Sequence, residues 1–374
     1  MKYDYLIIGS GFFGSVCARE LTDDGKKCLV IDKKKHIGGN CYTENIEGIN
    51  VHKYGPHIFH TSNEVVWNYI NKYAKFNNFV YRPKVSYKNE LYSFPINLFT
   101  LYQKFGVKTP IEAHNFIENV KIKINNPKNF EEYALSLLGH ELYNTFIYGY
   151  TKKQWNKDPK ELPSSILKRI PFRLTFDDNY FNDAYQGIPI GGYTKIFEKL
   201  LDGIEVKLNV NYFDDRNYWD NISNKIIYTG PVDEFFNYSH GKLEYINMKF
   251  ENEYLNIEDY QGNAAINYTD ESIPYTRIIE HKHFEKSKTS HTIITREYSN
   301  GINHDTDKYY PISTDNNLKL YQKYKNLTLN TKNVIFGGRL AEYKYYDMHH
   351  VIENALNTIN YEKIKFKRRD SSNS

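Results

Sequence analysis

One stretch near the start of the chain, residues 1–40, limits what the rest can fold into. Tyr5-Leu6-Ile7-Ile8 is a short apolar run of the kind that a parallel strand covered on both faces requires. It breaks into Gly9-Ser10-Gly11-Phe12-Phe13-Gly14, continues with helical spacing from Val16 to Leu21, turns at Asp23-Asp24-Gly25, and returns as Cys28-Leu29-Val30-Ile31, closing on Asp32 and Lys33. Strand, glycine turn, helix, strand and acid follow one another at the spacing a dinucleotide needs. Gly9 makes the turn, Gly11 lets backbone approach a pyrophosphate, and Gly14 lets helix and strand pack closely. The helix start at Phe12 and Phe13 offers unpaired N–H groups to the phosphates, and Asp32 is placed to accept from a ribose hydroxyl.

Gly38-Gly39-Asn40 favours FAD over NAD, because a second glycine pair just after the ribose acid lets backbone lie against a ribityl chain or a flavin ring. The pattern resembles the flavoprotein superfamily that includes the amine oxidases. The chain returns to the same fold twice. Residues 225–228 read as a strand closing on Thr229-Gly230, and Val334-Ile335-Phe336-Gly337-Gly338-Arg339 is a strand with a glycine exit ahead of a helix starting at Asp347-Met348. The second exit is another place for a flavin to meet backbone N–H groups.

Composition excludes several classes. No apolar run reaches about eighteen residues, so no membrane-spanning helix is expected. The chain enters its first strand within about five residues, so no signal peptide is expected and the cytoplasm is the expected location. Cys17, Cys28 and Cys41 do not have the spacing of a metal knuckle or a disulfide framework. A net charge of +4 over 374 residues does not point to nucleic acid. The 35 tyrosines accompany abundant Asn and Lys, but a phenol also supplies a stacking face and a hydroxyl for phosphate.

Along the chain, Gly55-Pro56 forces a bend, and Thr61 or Ser62 can cap a helix over 64–73. His57 and His60 lack a third ligand at a metal-binding spacing, so no metal is expected; a flavin-side role and simple packing both stay open. Residues 79–94 read as a hairpin, with strands 80–87 and 91–94 around Lys88-Asn89-Glu90. Helical patterning runs from 98 to 142, broken at Thr109-Pro110 and Asn126-Pro127. Phe146, Tyr148, Tyr150, Thr151 and Trp155 then cluster, followed by Arg169, Arg173, Tyr180 and Phe181. Alone, this reads as an aromatic core with solvated arginines. Residues 206–210 suggest a strand, 243–298 alternate like antiparallel strands, Tyr309-Tyr310-Pro311 reads as a turn, and a last helix is expected to about 359. The basic tail 363–374 is expected to be solvated and disordered.

Taken together, several long stretches resemble the bacterial UDP-galactopyranose mutases over residues 3 to about 355. They are Gly38-Gly39-Asn40, residues 52–61 with His52, His57 and His60, Gly149-Tyr150-Thr151-Lys152-Lys153-Gln154-Trp155, residues 168–173, residues 274–281 and residues 338–348. The resemblance implies an isomerase that interconverts UDP-galactopyranose and UDP-galactofuranose with no net redox change, with N5 of reduced FAD as the nucleophile toward the anomeric carbon. It also implies that the product supplies galactofuranose for a cell-surface polysaccharide.

The site residues carried by the resemblance are Arg169 and Arg277 as diphosphate clamps and Tyr310 and Tyr345 as phosphate-contacting hydroxyls. Phe146, Tyr150, Thr151, Trp155, Tyr180 and Phe181 fall on the uridine side and mobile loop, with Tyr180 as the stacking face. Arg339, His57 and His60 fall beside the flavin. The expected cofactor residues are Gly9, Gly11, Phe12, Phe13, Gly14, Asp32, Lys33, Gly39, Asn40, His57, Ile58, Thr229, Gly230, Gly338, Arg339, Tyr345, Asp347 and Met348, with no metal. Tyr81-Arg82-Pro83 stands where relatives often carry a small polar residue, and no contact is carried over there.

The expected fold class is α/β: a discontinuous Rossmann-like FAD-binding domain (1–78, 191–238 and 330–374), a helical insertion domain (96–160), and an antiparallel β-sheet or substrate domain (79–95, 161–190 and 239–329). A homodimer is expected from the resemblance only. Other readings are a flavin oxidase of the amine-oxidase type, a mutase acting on an N-acetylated UDP-sugar, and a non-catalytic flavin- or UDP-binding protein.

Overall fold

The computed structural model describes residues 2–302 and 307–372, without the side chains of 168, 169 and 365–372. The opening unit forms as β1 (Tyr3–Ile8), α1 (Phe12–Asp23) and β2 (Cys28–Ile31). β1 lies at the centre of a five-stranded parallel sheet, between β2 and the strand Ser223–Tyr228; Val334–Phe336 and Glu205–Lys207 form the edges. A central strand needs apolar side chains on both faces, and Tyr5, Leu6 and Ile7 are all buried. α1 covers one face through Val16, Cys17, Ala18 and Leu21 and packs against Ile352, Ala355 and Ile359 of the last helix. Each large apolar side chain buried there contributes about 1.5–3 kcal/mol.

The glycines act as close-approach residues. A Cβ on Gly14 would sit 1.9 Å from the Gly9 carbonyl oxygen, so α1 can press on the turn only without one. Gly9 has φ +106, and a Cβ there would sit 2.0 Å from Thr229 Oγ1, so the neighbouring strand end is equally tight.

A second, six-stranded sheet has the order Met248–Leu255, Thr292–Ser299, Arg277–Glu280, Ala265–Tyr268, Lys84–Tyr87, Glu90–Ser93. It is antiparallel except where Ala265–Tyr268 runs parallel to Lys84–Tyr87. Its register puts Asn267, Arg277 and Glu297 in one row across three strands. Helices Leu98–Phe105, Pro110–Val120 and Phe130–Tyr143 lie beside it, each started by an Asn or Thr whose side chain accepts from first-turn N–H groups. The third continues through a π-helical turn, Asn144–Tyr148, into Gly149–Trp155. Such turns re-aim side chains and recur at functional sites.

Several local expectations are corrected. The hairpin strands are Lys84–Tyr87 and Glu90–Ser93, because Lys88 and Asn89 both take positive φ and make a two-residue turn. Tyr310–Pro311 is not a turn but a short strand paired with Tyr245–Ile246. Lys282–Glu285, within the stretch expected to alternate as strand, is a helical turn. The helix expected to start at Glu64 stops at Ile70, and the strand expected at 206–210 is Glu205–Lys207. The last helix, Met348–Ser372, runs on through most of the tail expected to be disordered.

Candidate active site

Two cavities meet inside the molecule. The first, ≈ 430 Å³, lies over the carboxyl ends of the parallel strands, where an open α/β sheet binds its ligand. Gly9, Gly11, Phe12, Phe13, Gly14, Asp32, Lys33, Gly39, Asn40, His57, Thr229, Gly230, Gly338, Arg339 and Met348 all line it. Its features suit a dinucleotide. Gly11 caps α1 without any side-chain hydrogen bond, leaving the helix's first N–H groups open. A Cβ on Gly11 would meet nothing within 4 Å, so the space it would enter is free for a ligand.

Asp32 accepts from the Ser10 N–H and hydroxyl (2.8 and 2.6 Å) and from the Lys34 N–H (2.9 Å). It therefore fixes the glycine turn as well as bordering the cavity. Sequence reasoning missed Lys34, whose Nζ donates to Asn40 Oδ1 at 3.1 Å, pairs with Asp307 at 3.1 Å and lies 3.8 Å from the Tyr54 ring centre. Lys33 also pairs with Asp307, at 3.2 Å. Burial works against the Asp307 charge, but these two lysines hold its carboxyl below the usual range. Asp307 is far away in sequence, so no local pattern could have shown the contact.

The second cavity, ≈ 820 Å³, lies between the six-stranded sheet and the helices. Phe146, Tyr150, Thr151, Trp155, Tyr180, Phe181, Arg277, Tyr310 and Tyr345 line it, as do His57, His60, Ile58, Asp347 and Met348. Ile58, Tyr345 and Asp347, expected at the cofactor, border only this second cavity. The side chain of Arg169 lies outside the described residues. Tyr81, for which no contact was expected, is buried in the wall, its ring against Phe181 and Tyr180 at 5.9 and 5.3 Å. His57, Arg339 and Met348 border both cavities and mark where they join.

Arg277 lines the second cavity. Its Nη2 donates to the Tyr150 hydroxyl at 2.6 Å and lies 3.6 Å from Glu297 Oε1. Burial opposes its charge, yet Glu297, Tyr150 and Tyr81 hold its pKa well above the ordinary value. Burial in turn pushes the Tyr150 phenol up to about 12 against the pull of Arg277. Arg277 Nε, a donor, and Asn267 Oδ1, an acceptor, are buried without a protein partner. A ligand with both kinds of group would satisfy them.

Lys153 holds this region together, donating to the carbonyls of Tyr268, Asp270, Ile273 and Tyr275 at 2.8–3.1 Å. It thereby ties the loop leading to Arg277 against the helix that carries Tyr150.

At the junction, Tyr310 and Tyr345 stack at 4.9 Å and 12°, and the Arg339 guanidinium lies 5.1 and 5.6 Å from their ring centres. Arg339 Nη2 donates to the Tyr346 carbonyl at 2.6 Å. His57 Nδ1 lies 2.9 Å from the Gly55 carbonyl oxygen, and burial, with Arg339 nearby, lowers its pKa to about 4. It is therefore neutral at pH 7. His60 Nδ1 is 2.7 Å from Asp183 Oδ2, and its ring stacks on Phe181 at 3.6 Å.

A Rossmann-type dinucleotide cavity that opens into a chamber with a buried arginine and tyrosine hydroxyls defines a dinucleotide-binding protein with a second, polar chamber beside the cofactor site. Comparison with known proteins narrows the class. A family model described as UDP-galactopyranose mutase matches residues 145–345, and one described as an NAD(P)-binding Rossmann-like domain matches residues 7–73. The chain is 42% identical to a dTDP-fucopyranose mutase of Escherichia coli, covering 94% of this chain and 96% of the relative. It is also 42% identical to a probable UDP-galactopyranose mutase of Klebsiella pneumoniae, covering 94% and 93%. A crystal structure of a reduced UDP-galactopyranose mutase shares the fold at a TM-score of 0.74 with 13% identity, covering 96% of this chain and 94% of that one.

The chain belongs to the UDP-galactopyranose mutase family. It is a flavoprotein of the mutase (isomerase) type, and FAD is its cofactor. Among the described residues, no helix is long and apolar enough to cross a membrane.

Proposed function

We propose that the chain interconverts UDP-galactopyranose and UDP-galactofuranose without net redox change, with the nucleotide sugar in the larger cavity and FAD in the smaller. The observation that supports this most is the junction. The two cavities share His57, Arg339 and Met348, so a sugar held from Arg277 can reach the isoalloxazine end of the cofactor. Bound reduced flavin supplies the nucleophile toward the anomeric carbon.

The protein's own residues do the rest. Arg277 and the hydroxyls of Tyr150, Tyr310 and Tyr345 hold the diphosphate as it takes up charge on leaving the sugar, a task for fixed donors in a dry site. Arg169 joins this clamp on the strength of the family motif. Phe146, Trp155, Tyr180 and Phe181 form the aromatic walls for the base, and Thr151 lies beside them. His57, neutral, borders both partners at the junction, and His60 is oriented by Asp183. No adjacent nucleophile and base are needed on the protein, since its role is to position and to shield from water. The enzyme works in the cytoplasm as a homodimer and supplies galactofuranose for a cell-surface polysaccharide.

A thymidine-linked 6-deoxy sugar is a second reading, favoured by the likeness to the dTDP-fucopyranose mutase. The test is kcat/KM for UDP-galactofuranose against dTDP-fucofuranose with reduced protein. A higher value for the UDP-sugar supports the first reading, and a higher value for the dTDP-sugar replaces it with the second.

A further inference from the structure

Three histidines are joined in a way that the proposed chemistry does not use directly. The His57 N–H donates to His52 Nδ1 at 3.2 Å, and the His52 N–H donates to His281 Nδ1 at 3.2 Å. His281 Nε2 lies 2.6 Å from Thr295 Oγ1, whose hydroxyl donates to Asn252 Oδ1 at 2.7 Å.

Because the donors are backbone amides and one acceptor is a backbone carbonyl, every tautomer follows. His52 and His281 must each accept at Nδ1, so their protons sit on Nε2. The Gly55 carbonyl can only accept, so His57 carries its proton on Nδ1 and keeps a lone pair on Nε2. Thr295 Oγ1 accepts from His281 Nε2–H, which completes the chain. His52 Nε2–H is left buried with no partner. An unpaired buried donor is costly, and what the fold gains in return is the acceptor at Nδ1.

The rings have little freedom. His52 stacks on Phe284 at 4.5 Å and 4°. The turn between His52 and His57 is pressed on the sheet, since a Cβ on Gly55 would lie 3.2 Å from Glu297 Oε2 and 3.3 Å from the Phe250 ring. Burial also lowers the pKa of His52 well below the ordinary value and that of His281 to about 3, in keeping with uncharged rings.

We propose that His52 and His281 are positioning residues that hold the 52–57 turn and present His57 Nε2 as a hydrogen-bond acceptor at the junction of the two cavities. The inference rests on the reading of those cavities as cofactor and substrate sites.

Asn and Gln variants of the full-length, FAD-loaded protein separate this from general packing. Asn places an oxygen where His carries Nδ1, and Gln places one where His carries Nε2. His52→Gln and His281→Gln are expected to lose turnover by about 10–100-fold, the usual effect of misplacing a reacting group. UDP affinity should change little, while the flavin midpoint potential shifts. His52→Asn and His281→Asn should stay near wild type in both. Ring-nitrogen NMR of the wild type should show protons on His57 Nδ1, His52 Nε2 and His281 Nε2.

Equal behaviour of the Asn and Gln variants, or a proton on His57 Nε2, would overturn the proposal. If the Gln variants do not fold, the wild-type tautomers decide. A wild type that isomerises no sugar nucleotide would defeat the functional reading instead, and the NMR and the potentials would still decide this one.

Discussion

Arg277 joins the sheet to the helical layer. It starts a strand, lies in register with Asn267 on one side and Glu297 on the other, and meets the Tyr150 hydroxyl from the helical layer. Replacing it with Ala should leave FAD bound, because Arg277 does not border the cofactor cavity. Turnover should fall by at least the equivalent of about 1.5–3 kcal/mol, the usual worth of a hydrogen bond to a charge. Steady-state kinetics beside the flavin absorbance would check both parts, and normal kcat/KM would remove Arg277 from the clamp. Glu297 would then be left buried beside an uncharged neighbour, so a modest fall in stability should accompany the change.

At the scale of elements, two glycines of one motif should fail in opposite ways. Gly11 takes an ordinary φ of −71, and a Cβ there meets no protein atom. Gly11→Ala should therefore fold normally but copurify with much less flavin. In Gly14→Ala the new Cβ would collide with the Gly9 carbonyl, so a loss of stability of about 1–3 kcal/mol or more is expected. Thermal melts and flavin-to-protein absorbance ratios distinguish the two.

The same elements show why one site was more legible in the sequence than the other. The strand, turn, helix and acid of the cofactor unit are contiguous, so spacing alone places them. The larger cavity is built from the row Asn267, Arg277, Glu297 and from Tyr81, Tyr150 and Tyr310, residues that meet only through sheet register and layer packing. Period and propensity carry no information about such meetings: resemblance to a family supplied Arg277, Tyr150 and Tyr310, while Asn267, Glu297 and Tyr81 went unforeseen. Tyr310 was misread as part of a turn because a two-residue strand is too short to alternate. The tail was misread because its Lys- and Arg-rich stretch lacks the apolar stripe that marks the same helix at Ile352, Ala355 and Ile359.

At the scale of the molecule, the two cavities lie in an interior where several histidines are held uncharged by burial, and this should appear as acid sensitivity. His57 and His349 are lowered to about 4 and His281 to about 3, in each case mainly by burial. A histidine whose folded pKa is depressed binds fewer protons folded than unfolded. Its contribution is therefore intact above the unfolded value near 6.5 and is lost as pH falls toward the folded one. His283, raised chiefly by its hydrogen bond to Glu280, works in the opposite sense, with a contribution that is lost as pH rises. With more groups lowered than raised, resistance to urea should decline from about pH 6.5 to pH 4. A flat profile over that range would show that the interior histidines bind protons as readily in the native state as in the unfolded one.

The claim that joins all three scales is that bound flavin takes part in an isomerisation with no net redox change. The most direct measurement is the conversion of UDP-galactofuranose to UDP-galactopyranose by purified protein, followed by chromatography with and without dithionite. Conversion is expected with reductant and little without it, and no reductant should be consumed per turnover. Equal conversion by the oxidised protein, or no conversion by a fully reduced, flavin-loaded protein, would contradict the claim.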